Sequence, residues 1–175
     1  MTVDTKKVEM KPMIFLDLDG VLTDFDRHCD DTGLRLSDGT PDYERMNCKE
    51  WFAGMCAYPG ARDFYNDLTA IGKVRFLTAP VTHSECFGGK AEWVKAFVSE
   101  KGRFALKDLM IVASQDKHLV AGPGRILIDD RKKNVDAWRK AGGIGIHHTG
   151  DYAQTIQAVR TALKKSGPVN KPPKL

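Results

Sequence analysis

No stretch of this chain approaches the ~18–20 consecutive apolar residues that a membrane-spanning helix needs, so no membrane partner is expected. Cysteine is sparse and unpatterned. Cys29, Cys48, Cys56 and Cys86 form no Cys-x-x-Cys pair and fit no zinc spacing. No signal-peptide pattern opens the sequence, so free thiols in a reducing, cytoplasmic compartment are the expectation. There is no internal repeat, and no low-complexity segment outside the tail. A strong excess of one charge is missing too. The net charge is only +4, part of it from Lys164, Lys165, Lys171 and Lys174 near the end. Lysines among Pro and Gly at a terminus read as a solvated end, so no nucleic-acid partner is expected. A mild positive field would still attract small phosphorylated ligands.

What is present fits one globular unit. At 175 residues, 42% hydrophobic and 29% charged, the chain can bury a sufficient core without staples. Met13 to Leu16 is continuously apolar, as suits a strand buried on both faces. Asp17 and Asp19 follow, two residues apart and therefore on one side of the chain. Gly20 then permits a sharp turn. Carboxylates held this close repel unless a cation joins them, and the hard ion that prefers oxygen ligands is Mg²⁺.

Residues 26–49 are polar, with Gly33, Asp38-Gly39 and Pro41 as turn signals and one short helix expected near Tyr43 to Cys48. Trp51 and Phe52 come next; they either plug this insertion onto the main body or stack on a substrate ring. Pro59-Gly60 ends the insertion. Ala61 to Ile71 has helical spacing and stops at Gly72. Val74 to Leu77 reads as a strand ending in Thr78-Ala79-Pro80, and a hydroxyl there can hold phosphate oxygens. Gly88-Gly89 precedes an expected helix from Lys90 to Glu100, which would set Lys90 against the macrodipole at the helix start. Leu109 to Val112 is a strand, Ser114 to Lys117 a loop, and His118 to Val120 a single helical turn. Ile126 to Ile128 is a second apolar strand ending in paired acids, Asp129 and Asp130, followed by a helix from Asn134 that Gly142-Gly143 closes. Ile144 to Ile146 is the last strand, and Asp151 caps a helix to Lys165. His147-His148 lacks a third soft ligand and is not read as a metal site.

Alternating strands and helices imply an α/β fold, a three-layer Rossmann-like parallel sheet with helices on both faces. The expected divisions are a flexible lead over 1–12, a core over 13–24 and 59–166, a small inserted cap over 25–58 after the first strand, and a flexible tail over 167–175.

Asp17-Leu-Asp19, Thr78, Lys90 and Asp129-Asp130 resemble, in order, the four motifs of the haloacid dehalogenase-like phosphatases. Gly-Val-Leu-Thr-Asp-Phe25, Tyr58-Pro-Gly-Ala, Lys90-Ala-Glu-Trp-Val, Asp116-Lys117 and Leu127-Ile-Asp-Asp-Arg131 are similar to landmarks of the 5'(3')-deoxyribonucleotidases. The resemblance implies Asp17 as nucleophile and Asp19 as general acid/base. It implies Mg²⁺ on Asp17, the main-chain carbonyl of Asp19 and Asp130, with Asp129 in support. Thr78 and Lys90 would hold phosphate oxygens, Lys90 also neutralising Asp17. Phe25 would meet a nucleobase and Lys117 the phosphate region, with Ala79, Trp51 and Phe52 nearby. The implied substrate is a small phosphate ester, a nucleoside monophosphate first; a sugar phosphate or nucleic-acid 3'-phosphate is the alternative. The insertion is shorter than in those nucleotidases, Ala79 stands where Ser is common, and Gln115 where Arg is usual. A receiver module of the response-regulator kind also pairs acids with Mg²⁺ and Lys, but its motif order is reversed. The cap aromatics could serve a base pocket, a homodimer contact or only packing.

Overall fold

In the computed structural model, which describes residues 11–98 and 106–166, Met13–Leu16 forms β1 at the centre of a five-stranded sheet. Its neighbours are β2 (Lys73–Thr78) and β4 (Arg125–Asp129), with β3 (Leu109–Ile111) and β5 (Ile144–His147) at the edges. Every pairing is parallel, in the order β3-β2-β1-β4-β5. Ile14 lies between Val74 and Ile126, and Leu16 between Phe76 and Ile128. Strands enclosed this way have no solvent face, which is why they read as unbroken apolar runs.

The two faces divide the core. Ile14, Leu16, Ile126 and Ile128 point into the larger cluster. There they meet Phe64 and Leu68 of α3 (Ala61–Ile71), Trp93 and Phe97 of α4 (Glu85–Val98), and Ile156 and Val159 of α6 (Tyr152–Ser166). Phe15, Leu77 and Leu127 point the other way, onto Trp138 of α5 (Lys132–Lys140). The three-layer arrangement expected from the alternation is present. Asp151 caps α6 as expected, its carboxylate accepting from Gln154 N–H at 2.9 Å.

The insertion differs from expectation. Tyr43 to Arg45 makes only a turn, and no helix spans Tyr43 to Cys48. Helices form instead at α1 (Phe25–Asp31) and α2 (Lys49–Ala53). The Asp24 side chain accepts from Arg27 N–H at 3.2 Å and so caps α1, a signal lying just before the stretch that reads as polar. Arg35 then ties the segment together through Asp26, Asp30 and Gly39 O.

The second difference concerns Gly88-Gly89, which lies inside α4 rather than before it. A Cβ on Gly89 would fall 2.5 Å from Lys49 O and against Phe52 Cβ. The glycines therefore mark where α2 crosses α4 at close range, and Lys90 sits within the helix, not at its start. Gly72 does end α3, but in extended backbone, and its lack of Cβ makes room for Pro12 O. Ser114–Val120 is one continuous 3₁₀ helix where a loop and a single turn were expected. Residues 1–10 of the expected lead, the expected tail over 167–175 and the expected helix end at Glu100 lie outside the described residues. Among the described residues no helix is long and apolar enough to cross a membrane.

Candidate active site

The strand order reverses between β1 and β4, and open α/β sheets bind ligands beyond the carboxyl ends of strands at such a point. Both acid pairs emerge there. Asp17 N–H donates to Ile128 O at 3.0 Å, which brings the end of β1 alongside the end of β4. Carboxylate oxygens of Asp17, Asp129 and Asp130 lie within 4.8 Å of one another. Gly20 sits at φ 74°, and a Cβ there would strike the Asp130 carboxylate. The glycine after the first acid pair is thus needed both for its backbone and for the space it leaves.

Lys117 joins two of these acids. Its Nζ donates to Asp17 Oδ2 at 2.6 Å and to Asp129 Oδ2 at 2.8 Å, and the side chain is 1% exposed. Asn134 from α5 holds Asp129 from behind, its amide reaching both carboxylate oxygens at 3.0 and 3.1 Å. Ser114 supports Asn134 Oδ1 at 3.1 Å. Among the described residues Asp130 shows no such side-chain hydrogen bond, and its Oδ1 is buried and unbonded.

Lys90, fully buried, serves a different acid. It donates to Asp19 Oδ2 at 2.5 Å, Thr78 Oγ1 at 2.9 Å and Ala79 O at 2.7 Å. Thr23 Oγ1 donates to the other Asp19 oxygen at 3.0 Å. The expectation that Lys90 neutralises Asp17 is therefore corrected. Lys117 pairs with Asp17, and Lys90 pairs with Asp19.

Electrostatics follow from this crowding. Burial pushes the Asp17 carboxyl up to about 7; Lys117 opposes the rise, while Asp129 and Asp19 add to it. Asp130 is also raised, by burial and then by Asp129. Burial works against the Lys117 ammonium, yet Asp17 and Asp129 outweigh it and raise its pKa. One ammonium bridges two of the three convergent carboxylates, and Asp130 has no ion pair among the described residues, so the cluster is short of positive charge. A hard divalent cation fits this donor set: the oxygens are anionic, and one of them is orphaned in a buried position.

Above the acids opens a cleft of about 350 Å³, lined by Asp19, Phe25, Tyr43, Ala79, Gln115 and Arg131 among others. Phe25 and Ala79 stand in its wall. Phe52 does not: it is fully buried in the core. Trp51 is half-buried, its indole N–H donating to Thr32 Oγ1 at 2.9 Å and its ring edge-on to Phe25 at 5.6 Å. It backs the wall and is not part of the lining. His147 Nε2 meets Asp130 O at 2.8 Å, a backbone contact. Sequence reasoning missed Tyr43, Arg131 and Asn134 as parts of the site. For Asn134 a signal existed: it is a polar residue on the inward face of a helix, five positions after an acid.

A family model described as 5' nucleotidase, deoxy (pyrimidine), cytosolic type C protein matches residues 37–163. The match covers Thr78, Lys90, Lys117 and the Asp129-Asp130 pair and begins after Asp17 and Asp19. Among solved structures, a haloacid dehalogenase-like hydrolase from Burkholderia xenovorans superposes with a TM-score of 0.53 at 18% identity, covering 82% of this chain and 85% of that one. A haloacid dehalogenase-like family hydrolase from Streptococcus pneumoniae gives 0.47 at 15% identity, covering 85% and 90%. No curated protein matches the sequence.

Proposed function

The chain belongs to the family of the cytosolic type C 5' nucleotidases, haloacid dehalogenase-like phosphatases, and from that premise we propose that it hydrolyses nucleoside monophosphates through an aspartyl-phosphate on Asp17. The observation that carries this reading is the convergence of Asp17, Asp129 and Asp130, more than a hundred positions apart, around the buried ammonium of Lys117.

In this reading a carboxylate oxygen of Asp17 attacks phosphorus in line, and the bond to the leaving oxygen breaks. Asp19, held by Lys90 and Thr23, gives that oxygen a proton. Water then loses a proton to Asp19 and attacks the phosphoaspartate, releasing inorganic phosphate and restoring Asp17. Thr78 accepts from Lys90, so its own hydroxyl proton is left to donate to a phosphate oxygen. Lys90 spends its three protons on Asp19, Thr78 and Ala79 O; its work is to position them. Mg²⁺, held by Asp17, the main-chain carbonyl of Asp19 and Asp130 with Asp129 behind, would offset charge on both phosphate and carboxylates.

Phe25 and Tyr43 in the cleft wall favour a substrate with a ring, which supports a nucleoside monophosphate. The segment 25–58 would act as the cap over it. The four thiols, all free, suit a reducing compartment.

The test is Asp17→Asn assayed on a nucleoside monophosphate panel with Mg²⁺. Turnover is expected to fall by roughly a thousandfold or more, as when a covalent nucleophile is removed, with circular dichroism unchanged. Full activity in that variant would remove Asp17 from the chemistry.

A further inference from the structure

A second cleft, of about 390 Å³, lies beside the first. Ser114 and Gln115 line both, so the two are separated only by the start of the Ser114–Val120 helix. Its size falls in the range of small-molecule sites, roughly 300–1,000 Å³.

Its far wall is one face of α5. Lys133, Ala137, Lys140 and Ala141 recur at helical spacing and all line it. The charges on α5 are sorted. Its one acid, Asp136, is paired with Lys132 at 2.6 Å and with Arg139 at 3.2 Å, off this face. Lys133 and Lys140 are exposed and make no ion pair or side-chain hydrogen bond among the described residues. No carboxylate from the described residues lines the cleft. Lys117 lies at its floor, but that ammonium is spent on Asp17 and Asp129. Arg131, two residues before Lys133, lines the first cleft, where its charge answers Asp130 and the neighbouring acids. The cations without a partner among the described residues, Lys133 and Lys140, thus lie in the second cleft, next to the site of phosphate chemistry.

We propose that the second cleft holds a further phosphate on the leaving group, so that the enzyme prefers nucleotides carrying more than the scissile phosphate. The inference rests on the phosphatase reading of the first cleft and names its substrate class. The extra phosphate could belong to a nucleoside bisphosphate or to the next residue of a short single strand. In both cases Lys133 and Lys140 supply the charge, and the alanine face leaves room for the sugar.

The experiment compares kcat/KM at low ionic strength, where exposed charges are least screened. The substrates are a deoxynucleoside 5'-monophosphate, the matching 3',5'-bisphosphate and a 5'-phosphorylated trinucleotide. The enzyme is the full chain and its double variant Lys133→Glu, Lys140→Glu. Wild type is expected to favour at least one multiply phosphorylated substrate by about three- to tenfold, the effect of one or two exposed ion pairs. The double variant should lose that preference and keep its monophosphate rate. Preference for the bisphosphate alone identifies a small substrate; preference extending to the trinucleotide identifies a strand end. Equal kcat/KM on all three in wild type, or an equal loss on all three in the variant, overturns the proposal. Should no phosphomonoester turn over, the hydrolase reading falls. Fluorescence anisotropy of a labelled trinucleotide then decides the cleft: binding that the double variant abolishes upholds it, and no binding refutes it.

Discussion

Lys90 and Lys117 are both buried, and each faces carboxylates, yet they do different work. Lys117 closes a gap between Asp17 and Asp129, residues from two strands whose acids repel. Replacing it with Met keeps the volume and leaves the carboxylates unopposed. Removing one partner of a buried ion pair costs about 3–5 kcal/mol. Urea unfolding of Lys117→Met in chelator should show a loss of that order, partly restored by millimolar Mg²⁺, because a cation at Asp17 and Asp130 relieves the same repulsion. A loss indifferent to Mg²⁺ would detach the metal from these acids. The acids themselves were legible in the sequence, since two apolar strands each ending in a pair of them are rare punctuation. The lysine pairing was not. Lys117 sits in a 3₁₀ segment with no period to reveal its inward face, and its partner Asp17 is 100 residues away.

Elements impose their own constraints, and α4 shows how a local rule can mislead. Gly-Gly weakens a helix, so the pair reads as a boundary. The cause lies on another element: α2 approaches so closely that Gly89 has no room for a side chain. Propensity alone would have Gly89→Ala stabilise α4 by roughly 1 kcal/mol. The contact with Lys49 O, which is backbone and cannot swing aside, reverses the sign. Gly89→Ala is expected to destabilise by about 1–3 kcal/mol, the range for overpacking. It should also lower kcat, because the same turn delivers Lys90 to Asp19. Gly88→Ala is the control. A Cβ there meets only the flexible Lys49 side chain, 3.4 Å away, so a gain of about 0.5–1 kcal/mol is expected. Two equal shifts in chemical denaturation would show that the crossing does not set the choice of glycine. Strands and the helices α3 and α6 were readable from period and caps. The insertion was not, because α1 and α2 span only seven and five residues, too short for a period to emerge.

Across the whole molecule, one apolar cluster ties the 25–58 segment to the sheet. Cys29, Leu34, Met46 and Phe52 belong to the same buried set as Ile14, Leu16 and Val94. A segment without its own core should not melt separately, whatever its part over the active site. The cysteines report on this directly. Cys48 and Cys56 are exposed, whereas Cys29 and Cys86 are buried. Burial lifts the Cys29 thiol to about 11 and raises Cys86 as well, so neither forms much thiolate at neutral pH. A disulfide reagent at pH 8 should therefore titrate two thiols quickly and the other two only on unfolding. Cys29 lies in α1, inside the segment, and Cys86 lies in α4, outside it. If the segment and sheet form one cooperative unit, both become reactive across a single urea transition, at the midpoint seen by circular dichroism. Mass-spectrometric mapping of the labelled peptides would separate the two sites. Labelling of Cys29 well before Cys86 would show the segment opening on its own, and the continuity of the buried cluster would then not govern how this chain unfolds.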